Sequence, residues 1–133
     1  MSGEMGRDRW WRDDRGAQTL SYVVILPLVF LLIMAMIQAS LWFLARSAAL
    51  AAARRGADAA RTFEASRASG PAAALAFAHQ VGQGYLADPQ ATAAGSTGTT
   101  ISITVSGQVP SFMPGLVMDV SETVRAPAET FRP

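Results

Sequence analysis

The chain has 133 residues, half of them hydrophobic, with 16% charged side chains and a formal net charge of +1; an ordinary soluble protein carries about 25% charged residues. It has no cysteine and one histidine, which excludes a disulfide framework, a zinc–thiolate site and a thiol nucleophile. The near-neutral balance gives no bulk attraction to polyanions, so nucleic acid is not an expected partner.

Residues 1–15 mix Arg, Asp and Glu with two Trp and two Gly, ending Arg12-Asp13-Asp14-Arg15. This leader has no periodic apolar face and is expected to be mobile. From Gly16 to Ala45 there is no charged side chain, and Tyr22 to Ile37 reads YVVILPLVFLLIMAMI before the more polar QASLWFLA. A bilayer core requires about 20 apolar residues as helix, and Tyr22 to Leu44 is long enough. One membrane-spanning helix is therefore expected. Gln18, Thr19 and Ser21 are available to cap its start, Trp42 suits an interface, and Arg46 marks the exit. Pro27 removes one helical hydrogen bond, which membrane helices tolerate. The apolar run exceeds the 7–15 residues, roughly, of a secretory signal core.

Residues 46–69, RSAALAAARRGADAARTFEASRAS, continue in helix-favouring residues, with Gly56 the weak position. At about 100° per residue, Arg46, Arg54, Arg55, Asp58, Arg61, Glu64 and Arg67 fall on one side. A stripe including Ala49, Ala52, Gly56, Ala60 and Phe63 falls opposite. Small residues so spaced let another backbone approach closely. The stripe suits docking on another subunit and packing against the chain's own C-terminal part equally. The Arg side is read as a wet helix face, with anionic lipid headgroups the other reading.

Gly70-Pro71 is expected to end this helix, Gly as its cap and Pro in the first turn of the next. A second, shorter helix is expected from Pro71 to about Ala87, then a flexible link over 88–98. The period then changes. Ile101, Ile103 and Val105 alternate with Ser102, Thr104 and Ser106, the pattern of a half-buried strand. Pro110 to Gly115 forms a turn, and Met118, Val120 and Val124 alternate in a second strand whose apolar face Glu122 interrupts.

The expected fold is thus α+β: a single N-terminal transmembrane helix continues into a long extramembrane helix. A shorter helix follows, and a small antiparallel β-hairpin or sheet packs on it. The segments are 1–16 (leader), 17–45 (transmembrane helix), 46–69 (Ala-rich extension) and 70–133 (small α+β region). Catalytic signals are absent: no HExxH, GxSxG or P-loop pattern occurs, and any imidazole chemistry would have to use His79. No catalytic residue, metal ligand or cofactor is expected.

The order of features is more informative than any single motif. A charged leader ends in Arg15-Gly16, an apolar run contains Leu26-Pro27, and an Ala-rich helix carries Ala53-Arg54-Arg55-Gly56-Ala57. Over roughly residues 15–125 this arrangement resembles the TadE-like proteins, pilin-related components of tight-adherence pilus systems. The resemblance implies cleavage after Gly16 by a prepilin peptidase, leaving Ala17 as the new N-terminus. It also implies a cytoplasmic N-terminus and an extracytoplasmic β-rich part, anchored in the cytoplasmic membrane. The chain's own Arg balance across the span barely discriminates orientation.

The chain departs from the pilin pattern at the fifth mature position, where Ser21 replaces the usual Glu. A buried terminal ammonium without a countercharge costs several kcal/mol, roughly, so Ser21 argues against the repeating body of a filament. The leading expectation is a non-enzymatic, membrane-anchored pseudopilin or minor pilin of a pilus-assembly or secretion apparatus. Its partners would be the lipid bilayer, other pilin-like subunits and a prepilin peptidase. The alternative is a generic single-pass binding module of the cell envelope.

Overall fold

In the computed structural model, residues 10–61 and 68–128 are described. They form helix α1 (Trp10–Arg61), helix α2 (Ser69–Val81) and strands β1 (Ala87–Thr92), β2 (Thr100–Val109) and β3 (Met118–Pro127). The chain divides into two units, Met1–Ile37 and Gln38–Pro133, and α1 contributes to both.

The first unit is helical from Trp10 onward. The helix thus begins before Gly16, inside the leader expected to be mobile. No proline interrupts Trp10–Gly16, and once a helical nucleus exists each further residue adds a hydrogen bond at little cost. Gln18, Thr19 and Ser21 consequently lie within the helix and not at its cap. Pro27 is accommodated in the helix interior, where its missing N–H leaves the Val23 carbonyl without its usual donor.

The second unit joins the C-terminal part of α1 to α2 and a three-stranded antiparallel sheet in the order β1-β2-β3. Strands β2 and β3 pair in unbroken register from Thr100↔Pro127 to Val109↔Met118. The face carrying Ile101, Ile103, Val105 and Val109 with Val120 lies against Ala45, Ala49, Ala52, Ala53 and Ala57 of α1 and Ala74 and Ala78 of α2. The only large side chains fully buried among the described residues are Ile103 and Val105. Such a core relies on close approach of backbones more than on side-chain bulk.

The closest approach is between the two helices. A Cβ on Gly56 would lie 2.7 Å from the Ala74 Cβ and 2.7 Å from the Gly70 carbonyl oxygen. A Cβ on Gly70 would lie 2.8 Å from the Ala60 Cβ and 3.1 Å from the Gly56 oxygen. Gly70 is therefore required as a contact point in the first turn of α2, whereas the sequence suggested a cap on α1. A second close fit seats Leu86 on Gly107, where any Cβ would lie 2.5 Å from the Leu86 Cδ1.

Two boundaries differ from the sequence expectation. Helix α2 stops at Val81, not near Ala87, because the chain turns at Gly82. There the Leu86 amide donates to the Gly82 carbonyl at 2.8 Å, and Gly84 takes a φ of +88°. The segment expected as a flexible link begins with a strand, β1. Its Asp88-Pro89 pair falls at a register irregularity between Ala87 and Gln90, with Asp88 at φ +46°. An edge strand with a bulge tolerates a proline that a central strand would not.

Candidate functional site

In the first unit the functional surface is the apolar exterior of α1. Leu20, Tyr22, Leu26, Leu28, Phe30, Leu31 and Met36 are all more than half exposed. A helix of this kind is long and apolar enough to cross a membrane, and lipid is the solvent that makes such a surface inexpensive. Gly16 and Ser21 are both exposed on it, and nothing stands within 4 Å of a Cβ built on Gly16. Ala17 is a helical position of α1.

The small-residue stripe belongs to the second unit. Ala49 and Ala52 are completely buried and Gly56 is buried, while Ala60 is half-buried. They lie in the core formed with α2 and the sheet of the same chain. Phe63 lies outside the described residues. The Arg-rich face opposite stays wet: Arg54 and Arg55 are exposed, and the Arg61 Nη1 donates to Asp58 at 3.4 Å.

Gln38, which sequence reasoning did not single out, and Arg46 join the middle of α1 to the sheet and its loop. Gln38 is 6% exposed. Its Nε2 donates to the Pro110 carbonyl at 3.2 Å and lies 3.4 Å from the Met118 sulfur. Its Oε1 accepts from the Phe112 amide at 3.4 Å. One carboxamide thus grips the β2–β3 loop from both sides. Two turns further along, the Arg46 Nε donates to the Glu122 Oε1 at 2.6 Å, and its guanidinium sits 5.5 Å from the Trp42 ring centroid. Glu122 occupies an inward-facing position of β3, between Val120 and Val124. Its carboxylate is therefore the ion-pair partner of the helix and not a flaw in the strand. Gln38 is one of several uncharged polar residues between Gly16 and Ala45, with no local feature to set it apart; the Glu122 pairing spans 76 positions and left no local trace.

The outer face of the sheet is polar. Asp88, Gln90, Ser106, Gln108, Asp119 and Ser121 line a shallow hollow there, and Thr104 and Thr123 share a cross-strand hydrogen bond of 2.7 Å. His79 is exposed in the last turn of α2. Among the described residues, no group of three or more His, Cys, Asp or Glu gathers as a metal site.

The fold is α+β, and its exposed apolar helix fits a single-pass membrane protein. The family model described as TadE-like protein matches residues 16–58. That segment runs from Gly16 through the apolar helix to just beyond the Gly56 contact, and its similarity is to a pilus-related family. No curated protein and no solved structure matches the chain.

Proposed function

We propose that the chain is a non-enzymatic pilin-like subunit, a pseudopilin or minor pilin, anchored by α1 in the cytoplasmic membrane and serving pilus assembly or a related secretion apparatus. The observation that carries this reading is the position of the family match. It starts at Gly16, immediately after the charged leader, and covers the exposed apolar helix and the Ala-rich segment that packs under the sheet. In this reading residues 1–16 form the leader, and 17–45 hold the chain in the bilayer. Residues 46–69 support the small region 70–133 outside the membrane, with the N-terminus in the cytoplasm.

The working residues follow from that arrangement. A prepilin peptidase cuts between Gly16 and Ala17, at an exposed position in the helix with open space around Gly16. Ser21 supplies a hydroxyl but no countercharge for a neighbouring subunit's terminal ammonium, which favours a minor or initiating subunit over a filament body. Partner subunits meet the exposed exterior of the apolar helix, because Ala49, Ala52 and Gly56 are already occupied by the chain's own core. The test is intact-mass spectrometry of the protein from cells with and without the peptidase. Ala17 as the N-terminus in the first and an N-terminus upstream of Gly16 in the second supports the reading. An uncut leader in both removes the processing step.

A further inference from the structure

We propose that the β2–β3 loop is a second membrane contact, seating its apolar tip in the interfacial region of the leaflet on the C-terminal side of the span. The proposal rests on α1 crossing the bilayer. From Pro110 to Met118 the chain carries no charge, and every residue from Phe112 to Val117 is exposed. Phe112 and Val117 are 67% and 69% exposed, with Met113 and Leu116 also presented to the outside. A soluble surface rarely gathers that many apolar side chains at one tip without an apolar medium to receive them.

The loop is held by hydrogen bonds of its own and by Gln38 of α1. Within it the Leu116 amide donates to the Met113 carbonyl at 3.2 Å, the Ser111 hydroxyl accepts from the Met113 amide at 3.1 Å, and Gly115 takes a φ of +81°. Gln38 holds its two backbone groups at Pro110 and Phe112. The first charged side chain of the helix after the apolar run is Arg46, eight residues and about 12 Å further along the axis. Its ion pair with Glu122 closes the uncharged stretch on the helix side, and on the β3 side Asp119, exposed just after Met118, closes that of the loop.

The helix is still apolar and exposed between Gln38 and Arg46: Phe43 is 65% exposed and Leu44 46%. Loop tip and helix thus both present exposed apolar side chains in the second unit, and lipid suits both. The interfacial zone is roughly 5–8 Å deep on each side of the hydrocarbon core, enough for the side chains of one turn. A convex tip of six residues suits insertion between headgroups better than packing on the flat face of a second copy. The arrangement also accounts for Gln38: in a low-dielectric surrounding its amide and the loop's backbone groups each need a partner, and they supply one another.

The chain has no cysteine, so single Cys substitutions at Val29, Phe112, Val117 and Ser121 place a nitrobenzoxadiazole label without background. The full-length protein is reconstituted in phosphatidylcholine–phosphatidylglycerol vesicles. Each label is then quenched in turn by aqueous iodide and by lipids spin-labelled near the headgroup or deep in the acyl chain. Labels at 112 and 117 are expected to be quenched by the shallow lipid label and to be several-fold less accessible to iodide than the label at 121. Iodide access at 112 and 117 equal to that at 121 overturns the proposal while leaving the span intact. Shielding from both iodide and lipid overturns it in favour of a protein contact. Iodide access at 29 removes the membrane span, and the loop proposal with it.

Discussion

Replacing Gly56 by Ala tests whether close backbone contact, and not side-chain bulk, holds the second unit together. On propensity alone the change is favourable, because Ala is better than Gly in a helix interior by about 1 kcal/mol. The structure opposes it. The new methyl would stand 2.7 Å from both the Ala74 Cβ and the Gly70 carbonyl oxygen, and 3.1 Å from the Ile103 Cγ2. Ile103 can rotate, but a backbone oxygen and a Cβ move only with α2. Overpacking of this kind costs about 1–3 kcal/mol, and two immovable neighbours put it at the upper end. The expected net loss is about 2 kcal/mol, or roughly 10 °C in the midpoint for a domain of this size. Trp42 packs on the core, so full-length protein carrying Trp10→Phe and Trp11→Phe in detergent micelles reports unfolding of the second unit through one fluorophore. Gly98→Ala is the control: nothing lies within 4 Å of its Cβ, and the midpoint is expected to stay put or rise slightly. Adding Ala74→Gly to Gly56→Ala relieves the Cβ contact but leaves the Gly70 oxygen and itself costs about 1 kcal/mol of helix propensity, so little of the loss should return. A midpoint for Gly56→Ala at or above that of the parent would refute the close helix crossing.

Four further substitutions probe the other joints of the same unit. Gln38→Leu removes the partner of the Pro110 carbonyl and the Phe112 amide; a loss of about 1–3 kcal/mol is expected, with faster hydrogen exchange at the Phe112 amide than in the parent. A double-mutant cycle of Arg46→Ala and Glu122→Ala should give a coupling of about 1 kcal/mol or less that shrinks with added salt, because Arg46 is half exposed although Glu122 is largely covered. Leu86→Ala empties the seat on Gly107 and is expected to cost about 2–5 kcal/mol in the Trp42 unfolding assay. For the proposed processing step, Gly16→Leu should leave the leader attached in cells that contain the peptidase, read as retention of residues 1–16 by mass spectrometry.

Legibility in the sequence followed how local each determinant was. The apolar helix was readable because its length and lack of charge are properties of contiguous residues. Strands β2 and β3 were readable because Ile101, Ile103 and Val105, then Met118, Val120 and Val124, alternate with polar neighbours, and the register keeps one set facing the helices. What could not be read depended on distant partners. Glu122 looked like a break in an apolar face because Arg46 lies 76 positions away. Gly70 looked like a helix cap because a cap and a contact point call for the same residue; only the proximity of Gly56 and Ala60 distinguishes them. Strand β1 was hidden by Asp88-Pro89, a turn signal that an edge strand absorbs with an irregular register.

The same reasoning separates the two surfaces that small and apolar residues offer in this chain. Periodicity alone left the Ala49, Ala52 and Gly56 stripe equally suited to another subunit or to the chain itself. The difference is made by Ile103 and Ala74, which lie where a foreign helix would have to enter. With that stripe occupied, the large apolar side chains still exposed among the described residues are those of the α1 exterior as far as Leu44 and those of the Phe112–Val117 tip. Both are built of large side chains and not of Ala, and large exposed side chains favour a deformable medium over a close-packed backbone interface. In the proposed reading, a subunit whose small-residue face is spent on its own core meets lipid and partners through bulky surfaces. Substituting Phe112 should accordingly alter membrane contact without disturbing the Gly56 crossing, and substituting Gly56 should do the reverse.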